Sequence, residues 1–113
     1  MSSRDWQIRI LDMLASAENI LSFTTGMDYN SFLNDPKTIR AVAFELITIG
    51  EAVHSIPQKV QVKYAEIPWE KIQGIRNILV HEYFRMDEEI LWKTIQDSIP
   101  KLIDSMRKII AHD

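Results

Sequence analysis

The stretch that decides the fold is residues 35–57, which reads DPKTIRAVAFELITIGEAVHSIP. Asp35 followed by Pro36 is a typical helix start, because an acidic side chain caps free backbone N–H groups and proline fits the first helical position. Apolar residues then recur three and four positions apart over a wide arc, which predicts a helix to about Ser55. Pro57 ends it. An arc this wide indicates burial on two sides, as at the centre of a bundle or in a dimer interface.

The rest of the chain shows the same helical period and no strand-like alternation. The predicted elements are a helix from about Arg4 to Phe23, short turns at 29–33 and 57–64, a helix from Trp69 to about Val80 and a last helix from Asp87 onward. Gly26 suits a left-handed cap after the first helix, and Pro100 predicts a kink in the last one. The sequence therefore predicts an all-α fold, a bundle of four to five helices, with residues 1–113 as a single domain.

Gly50 and Gly74 both fall inside predicted helices, where glycine costs up to about 1 kcal/mol relative to alanine. One interpretation is simple tolerance of a weak helix former. The other is a close approach of two helices, for which a residue without a side chain is needed. Under the second interpretation, Gly50→Leu should destabilise the fold strongly.

Composition restricts the classes of protein to which the chain can belong. Of its 113 residues, 46% are hydrophobic and 26% are charged, as in an ordinary globular protein. The absence of cysteine excludes disulfides and thiolate catalysis, and the three histidines lack ligand spacing with carboxylates, so neither a metal nor a cofactor is expected. No apolar run approaches the roughly 20 residues that span a bilayer. With no signal-peptide core at the N-terminus, these features favour a cytoplasmic protein.

The densest group of reactive side chains is the run Arg76-Asn77-Ile78-Leu79-Val80-His81-Glu82-Tyr83. On one regular helix, Arg76 and His81 would lie about 140° apart, whereas Arg76 and Tyr83 would nearly coincide. Two arrangements can bring the three together. Either the helix ends near Val80, or a second copy of the chain completes the site.

These residue types suit the cleavage of RNA without a metal ion. Arg76 keeps its charge and offers planar donors that match a phosphate. A neutral His81 can take the proton of a ribose 2′-hydroxyl, which then attacks the adjacent phosphorus. Tyr83 can bind the substrate, and Asn77 can orient either group. The net charge of −3 argues against a protein that coats nucleic acid but allows one small cationic site.

A purely structural interpretation of the same residues is also open. An arginine and a histidine near the end of a helix often cap its carbonyls and stabilise its dipole. A tyrosine two positions later is often a core residue with one polar end. Glu51 and His54, three apart on the preceding helix, form a local polar pair more often than a catalytic dyad. Spacing alone favours this structural interpretation.

The sequence around the run resembles the HepT-like HEPN domains. Arg76-x4-His81-x-Tyr83 matches the Arg-x4-His-x-Tyr motif of that family. Outside the motif, the similarity includes the segments Ile49-Gly50-Glu51-Ala52, Ile67-Pro68-Trp69 and His81-Glu82-Tyr83-Phe84. It covers essentially the whole chain in length and helix order. The resemblance implies a HEPN-type helical bundle that forms a homodimer, with the arginine and histidine of both protomers in one cleft.

The resemblance also implies an activity and its control. It implies a metal-independent ribonuclease, the toxin of a toxin–antitoxin pair, with Arg76 and His81 catalytic and Asn77 as support. The family's partner is MntA, a minimal nucleotidyltransferase antitoxin that transfers AMP from ATP to the motif tyrosine, here Tyr83. AMP at that position would neutralise Arg76 and fill the cleft. The main rival is a non-catalytic nucleotide- or partner-binding subunit of a nucleotidyltransferase complex, in which His81 is structural.

Overall fold

The computed structural model describes residues 3–112, with side chains from Asp5 onward. Its helices, in chain order, are α1 (Ser3–Phe23), α2 (Tyr29–Leu33), α3 (Pro36–Val53), α4 (Gln58–Lys63), α5 (Trp69–His81), α6 (Glu88–Lys93) and α7 (Ile99–His112). A 3₁₀ turn, Tyr83–Arg85, follows α5, and a π-helical segment, Thr94–Ser98, joins α6 to α7 without a break. No β-strand occurs within residues 3–112, which confirms the all-α prediction.

The predicted start and stop signals of the helices have the expected geometry. The Asp35 carboxylate accepts a hydrogen bond from the Thr38 backbone N–H at 3.1 Å, so it caps α3. Asp87 caps α6 in the same way, accepting from the Glu89 backbone N–H at 2.8 Å. Gly26 has a φ of 77°, the left-handed conformation that glycine adopts without a steric penalty. These contacts explain why the sequence located the helix ends to within about two residues.

Helix α3 lies at the centre of the bundle. It packs against α1 on one side and α5 on the other, while α1 also packs against α7. Both contact faces are apolar, which confirms that the wide apolar arc of α3 is buried on two sides. The core side chains with no exposed surface include Ile10, Met13, Ile20, Val42, Ile95 and Met106. None of the helices within residues 3–112 is long and apolar enough to cross a membrane.

One buried carboxylate interrupts this apolar contact. Glu45 lies on α3 with 8% of its surface exposed, and its Oε2 accepts a hydrogen bond from the Asn19 side-chain amide of α1 at 2.8 Å. Because a buried polar group without a partner is costly, this bond offsets part of the cost of burying Glu45 between α1 and α3.

The irregularity predicted near Pro100 takes the form of a π-helical segment. At its end, the Ile99 backbone N–H donates to the Thr94 carbonyl, five residues back. Pro100 has no N–H to donate, so the hydrogen-bonding pattern changes just before it. The prediction located the disturbance correctly, but it gave no signal for the wider π turn.

Only one of the two helical glycines marks a close approach. A Cβ built on Gly50 would lie 2.3 Å from the Cβ of Arg76 and 2.7 Å from its Cγ, distances that real side chains do not tolerate. A Cβ built on Gly74 would meet nothing within 4 Å. The close-approach interpretation is therefore confirmed for Gly50, where α3 meets α5, and is wrong for Gly74.

Candidate functional site

Helix α5 carries Arg76, Asn77 and His81, and it ends at His81. Glu82, with φ −141° and ψ 42°, is not helical, and the chain turns there into the 3₁₀ segment that begins at Tyr83. The helix thus ends within one residue of the predicted Val80. Tyr83 lies beyond the helix, as in the first of the two arrangements that the sequence left open.

The guanidinium of Arg76 is held by two neighbours. Its Nε donates to Oε1 of Glu51 on α3 at 2.8 Å, and its Nη2 donates to the same oxygen. Its Nη1 donates to the Asn77 side-chain oxygen at 2.9 Å. The Arg76 side chain is 21% exposed, whereas that of Glu51 is 51% exposed. Arg76 is therefore a fixed, partly covered cation at the junction of α3 and α5.

Gly50 makes this position possible. Its missing side chain leaves room for the first two carbons of Arg76 to lie directly on α3. The guanidinium then reaches Glu51, the next residue along α3. Gly50 and Glu51 together hold the Arg76 side chain in place, and we call this arrangement the seat of Arg76.

His81 is exposed and is the last residue of α5. It follows Asn77 by four residues, so the two lie about 40° apart around the helix and share one face. The bond from Arg76 Nη1 to Asn77 links the guanidinium to a residue on that face.

Tyr83 is half-buried and packs against the edge of the hydrophobic core. Its ring meets the Phe84 ring edge-on, with centroids 5.5 Å apart and planes at 82°. Phe84 itself is 95% exposed. The turn after α5 thus combines a partly covered phenol with an uncovered aromatic ring.

Further basic side chains lie on several elements of the chain. Arg40, Lys71, Arg85 and Lys93 are all exposed. Arg85 has a carboxylate partner, Glu82, at 3.5 Å. Within residues 3–112, no three histidine or acidic side chains are grouped so that they could hold a metal ion.

A cavity of about 260 Å³ is lined by residues of α3, α5, the π-helical segment and α7. Its walls include Ile49, Ile72 and Ile75, with Lys71 and Lys101 also in the lining. The residues that line it do not include Arg76, His81 or Tyr83. The cavity is therefore separate from the motif residues.

Sequence reasoning missed Glu51 as a member of the site. It assigned Glu51 to a local pair with His54, but the carboxylate bonds to Arg76 instead. The available signal was the carboxylate beside Gly50, one residue from a predicted helix–helix contact. A carboxylate next to a glycine at a helix–helix contact lies close to the side chains of the neighbouring helix, here α5.

The sequence comparisons now identify the family. The model of the family described as "Ribonuclease HepT-like" matches residues 13–112. The chain belongs to the ribonuclease HepT-like family. The match includes every motif residue and both helices that hold Arg76, so the seat of Arg76 lies in the part of the chain that the family shares.

Curated relatives agree with this assignment. A Methanocaldococcus jannaschii protein named "Putative RNase MJ1380" is 39% identical over 90% of this chain and 94% of its own length. A Caldanaerobacter subterraneus protein named "Putative RNase TTE0752" is 35% identical over 89% of this chain and 90% of its own. Thermococcus cleftensis has a "Probable ribonuclease HepT", 38% identical over 87% of this chain and 89% of its own. No solved structure gives a significant match.

Proposed function

We propose that this chain is a metal-independent endoribonuclease and the toxin of a toxin–antitoxin pair. The observation that carries the proposal is the seat of Arg76, which holds a cation beside the helical face that presents His81. Membership of the ribonuclease HepT-like family supports the same activity. The structural interpretation of the motif is less favoured, because Arg76 bonds to side chains of α3 and α5 and no bond to a helix carbonyl accompanies them in residues 3–112.

In the proposed reaction, neutral His81 takes the proton of a ribose 2′-hydroxyl. The 2′-oxygen attacks the adjacent phosphorus, the bond to the 5′-oxygen breaks, and a 2′,3′-cyclic phosphate forms. Arg76 stabilises the charge that develops on the phosphoryl oxygens. The leaving 5′-oxygen takes a proton from the imidazolium of His81 in the second protomer. DNA lacks the attacking hydroxyl and is not a substrate.

A homodimer is part of the proposal, and exposed apolar side chains support it. Phe44 on α3 is 66% exposed and precedes Glu51 by seven residues, so the two share one stripe of the helix. Val80 on α5 is 43% exposed and follows Arg76 by four residues. Apolar groups on the same faces as the Arg76 seat suit a partner that covers this surface.

Control of the toxin is proposed to act through Tyr83. A minimal nucleotidyltransferase of the MntA type is the proposed antitoxin. The tyrosine oxygen attacks the α-phosphorus of ATP, pyrophosphate leaves, and the phenol loses its proton to form an AMP ester. The added phosphate competes for the Arg76 guanidinium, and the nucleoside fills the cleft. The position of Tyr83 in the turn that directly follows α5 supports this role.

The decisive test of the activity is cleavage of RNA by the purified chain. We expect His81→Ala to slow cleavage by about 10²- to 10⁴-fold, the contribution of a general acid–base group. His112→Ala is the matched control, since His112 is also exposed and ends a different helix. Equal rates for the native chain and His81→Ala would remove His81 from the mechanism. Absence of cleavage by the native chain would favour the rival proposal of a non-catalytic subunit.

A further inference from the structure

Three of the five N–H donors of Arg76 are already used. A guanidinium has one donor on Nε and two on each terminal nitrogen. Glu51 accepts the Nε donor and one from Nη2, and Asn77 accepts one from Nη1. Among the residues that the structure describes, one donor on Nη1 and one on Nη2 remain without a partner. Two donors on neighbouring nitrogens are what a phosphate group accepts.

We infer that Glu51 is a positioning residue, which orients Arg76 so that its two remaining terminal N–H groups meet the substrate phosphate. This role rests on the proposed ribonuclease function. Glu51 does not touch the reacting atoms and acts through Arg76 alone.

The edge of the guanidinium that Glu51 occupies favours positioning over inhibition. An inhibitory carboxylate would occupy the two terminal nitrogens and so block the phosphate. Glu51 instead takes the edge formed by Nε and Nη2 with a single oxygen. It is also half exposed, so water and salt screen its charge. This screening reduces the cost of a negative charge close to the phosphate site.

The ion pair between Arg107 and Glu18 is an exposed pair with which the Arg76–Glu51 pair can be compared. Arg107 Nη2 donates to Glu18 at 2.8 Å, with the two side chains 59% and 48% exposed. Arg76 is 21% exposed, and its stem lies on Gly50 with no space to spare. Exposed pairs contribute little to stability. The Arg76–Glu51 pair differs because packing on Gly50 fixes the stem of the arginine, so the bonds to Glu51 set the direction of its guanidinium.

The test compares Glu51→Ala and Glu51→Gln with the native chain, using Glu18→Ala as the matched control. The readout is single-turnover cleavage of an RNA oligonucleotide, with melting temperatures measured alongside. We expect Glu51→Ala to cleave about 10- to 100-fold more slowly, because a misplaced group loses about that much. Glu51→Gln should recover most of the rate, since its amide oxygen accepts the same bonds. Glu18→Ala should match the native rate.

To distinguish a positioning role of Glu51 from a merely structural one, the comparison is repeated in the Arg76→Lys background. A lysine has no planar fork for Glu51 to orient. Adding Glu51→Ala to Arg76→Lys should therefore cost no further activity beyond about 2-fold, which is non-additivity of the kind found for coupled residues. An equal loss in both backgrounds would overturn the positioning role. So would a Glu51→Ala variant that cleaves as fast as the native chain, or a Glu51→Gln variant as slow as Glu51→Ala.

¹⁵N NMR of the Arg76 Nε–H group tests the hydrogen bond to Glu51 independently of RNA cleavage. We expect a slowly exchanging signal in the native chain that is retained in Glu51→Gln and lost in Glu51→Ala. If the signal persists in Glu51→Ala as well, the inference is overturned. A native chain that fails to cleave RNA would instead overturn the proposed function. Failure of the activity and failure of the positioning role are thus distinguishable.

Discussion

The proposed regulation by AMP can be tested by removing one atom, the hydroxyl oxygen of Tyr83. Tyr83→Phe deletes the hydroxyl oxygen and keeps the ring that packs against Phe84. We expect this variant to cleave RNA at close to the native rate and to gain no AMP after co-expression with a minimal nucleotidyltransferase. Intact mass measures the addition in whole AMP units. Cells that make the variant should therefore escape the antitoxin.

Tyr29→Phe is the control for that experiment, because Tyr29 is also accessible but lies on α2 beside Trp92. It should accept AMP at Tyr83 as the native chain does. AMP found on Tyr83→Phe, or full rescue of cells by the antitoxin, would show that modification of Tyr83 is not the essential control.

Individual residues were predictable where their chemistry is local in sequence. Arg76, Asn77, His81 and Tyr83 lie in one short run, so pattern and resemblance together singled them out. Glu51 was not predictable in the same way, because it lies 25 residues from Arg76 and only tertiary packing unites them. The end of α5 before Tyr83 was predicted, because the helix was expected to end near Val80 and it ends at His81. The 3₁₀ turn that begins at Tyr83 was not predicted.

Whole helices were predicted more reliably than the contacts between them. The ends of α3 and the start of α6 follow from Asp35, Pro57 and Asp87, whose capping or breaking effects are local. Predicting the close approach of α3 to α5 required a choice between Gly50 and Gly74. The sequence does not show which of the two glycines faces a neighbouring helix. The π segment was missed because its wider turn depends on packing as well as on Pro100.

Gly50 and Gly74 test the packing of α5 against α3 as a matched pair. We expect Gly50→Ala to lower the free energy of unfolding by about 1–3 kcal/mol, since the new methyl group overpacks the contact with Arg76. Gly74→Ala meets open space and should raise it by up to about 1 kcal/mol through better helix propensity. Chemical denaturation measures both. A Gly50→Ala variant as stable as Gly74→Ala would contradict the close approach.

The whole molecule is proposed to work as a dimer, and Phe44 tests the surface involved. We expect Phe44→Glu to shift the protein from dimer to monomer in analytical ultracentrifugation and to reduce RNA cleavage. The charge disrupts an apolar contact on the stripe that Phe44 shares with Glu51. Val62→Glu is the control, because Val62 is equally exposed at 66% but lies on α4. A native chain that sediments as a monomer would contradict the dimer.

The chain is proposed to cleave RNA with its own side chains, through the ribose 2′-hydroxyl. The most direct measurement is to incubate the purified protein with an RNA oligonucleotide in excess chelator and to determine the ends of the products. We predict cleavage that persists without metal, yields 2′,3′-cyclic phosphate and 5′-hydroxyl ends, and is lost when the nucleotide at the cut site is 2′-deoxy. Cleavage that requires a metal ion, or that yields 5′-phosphate ends, would contradict the mechanism based on Arg76 and His81.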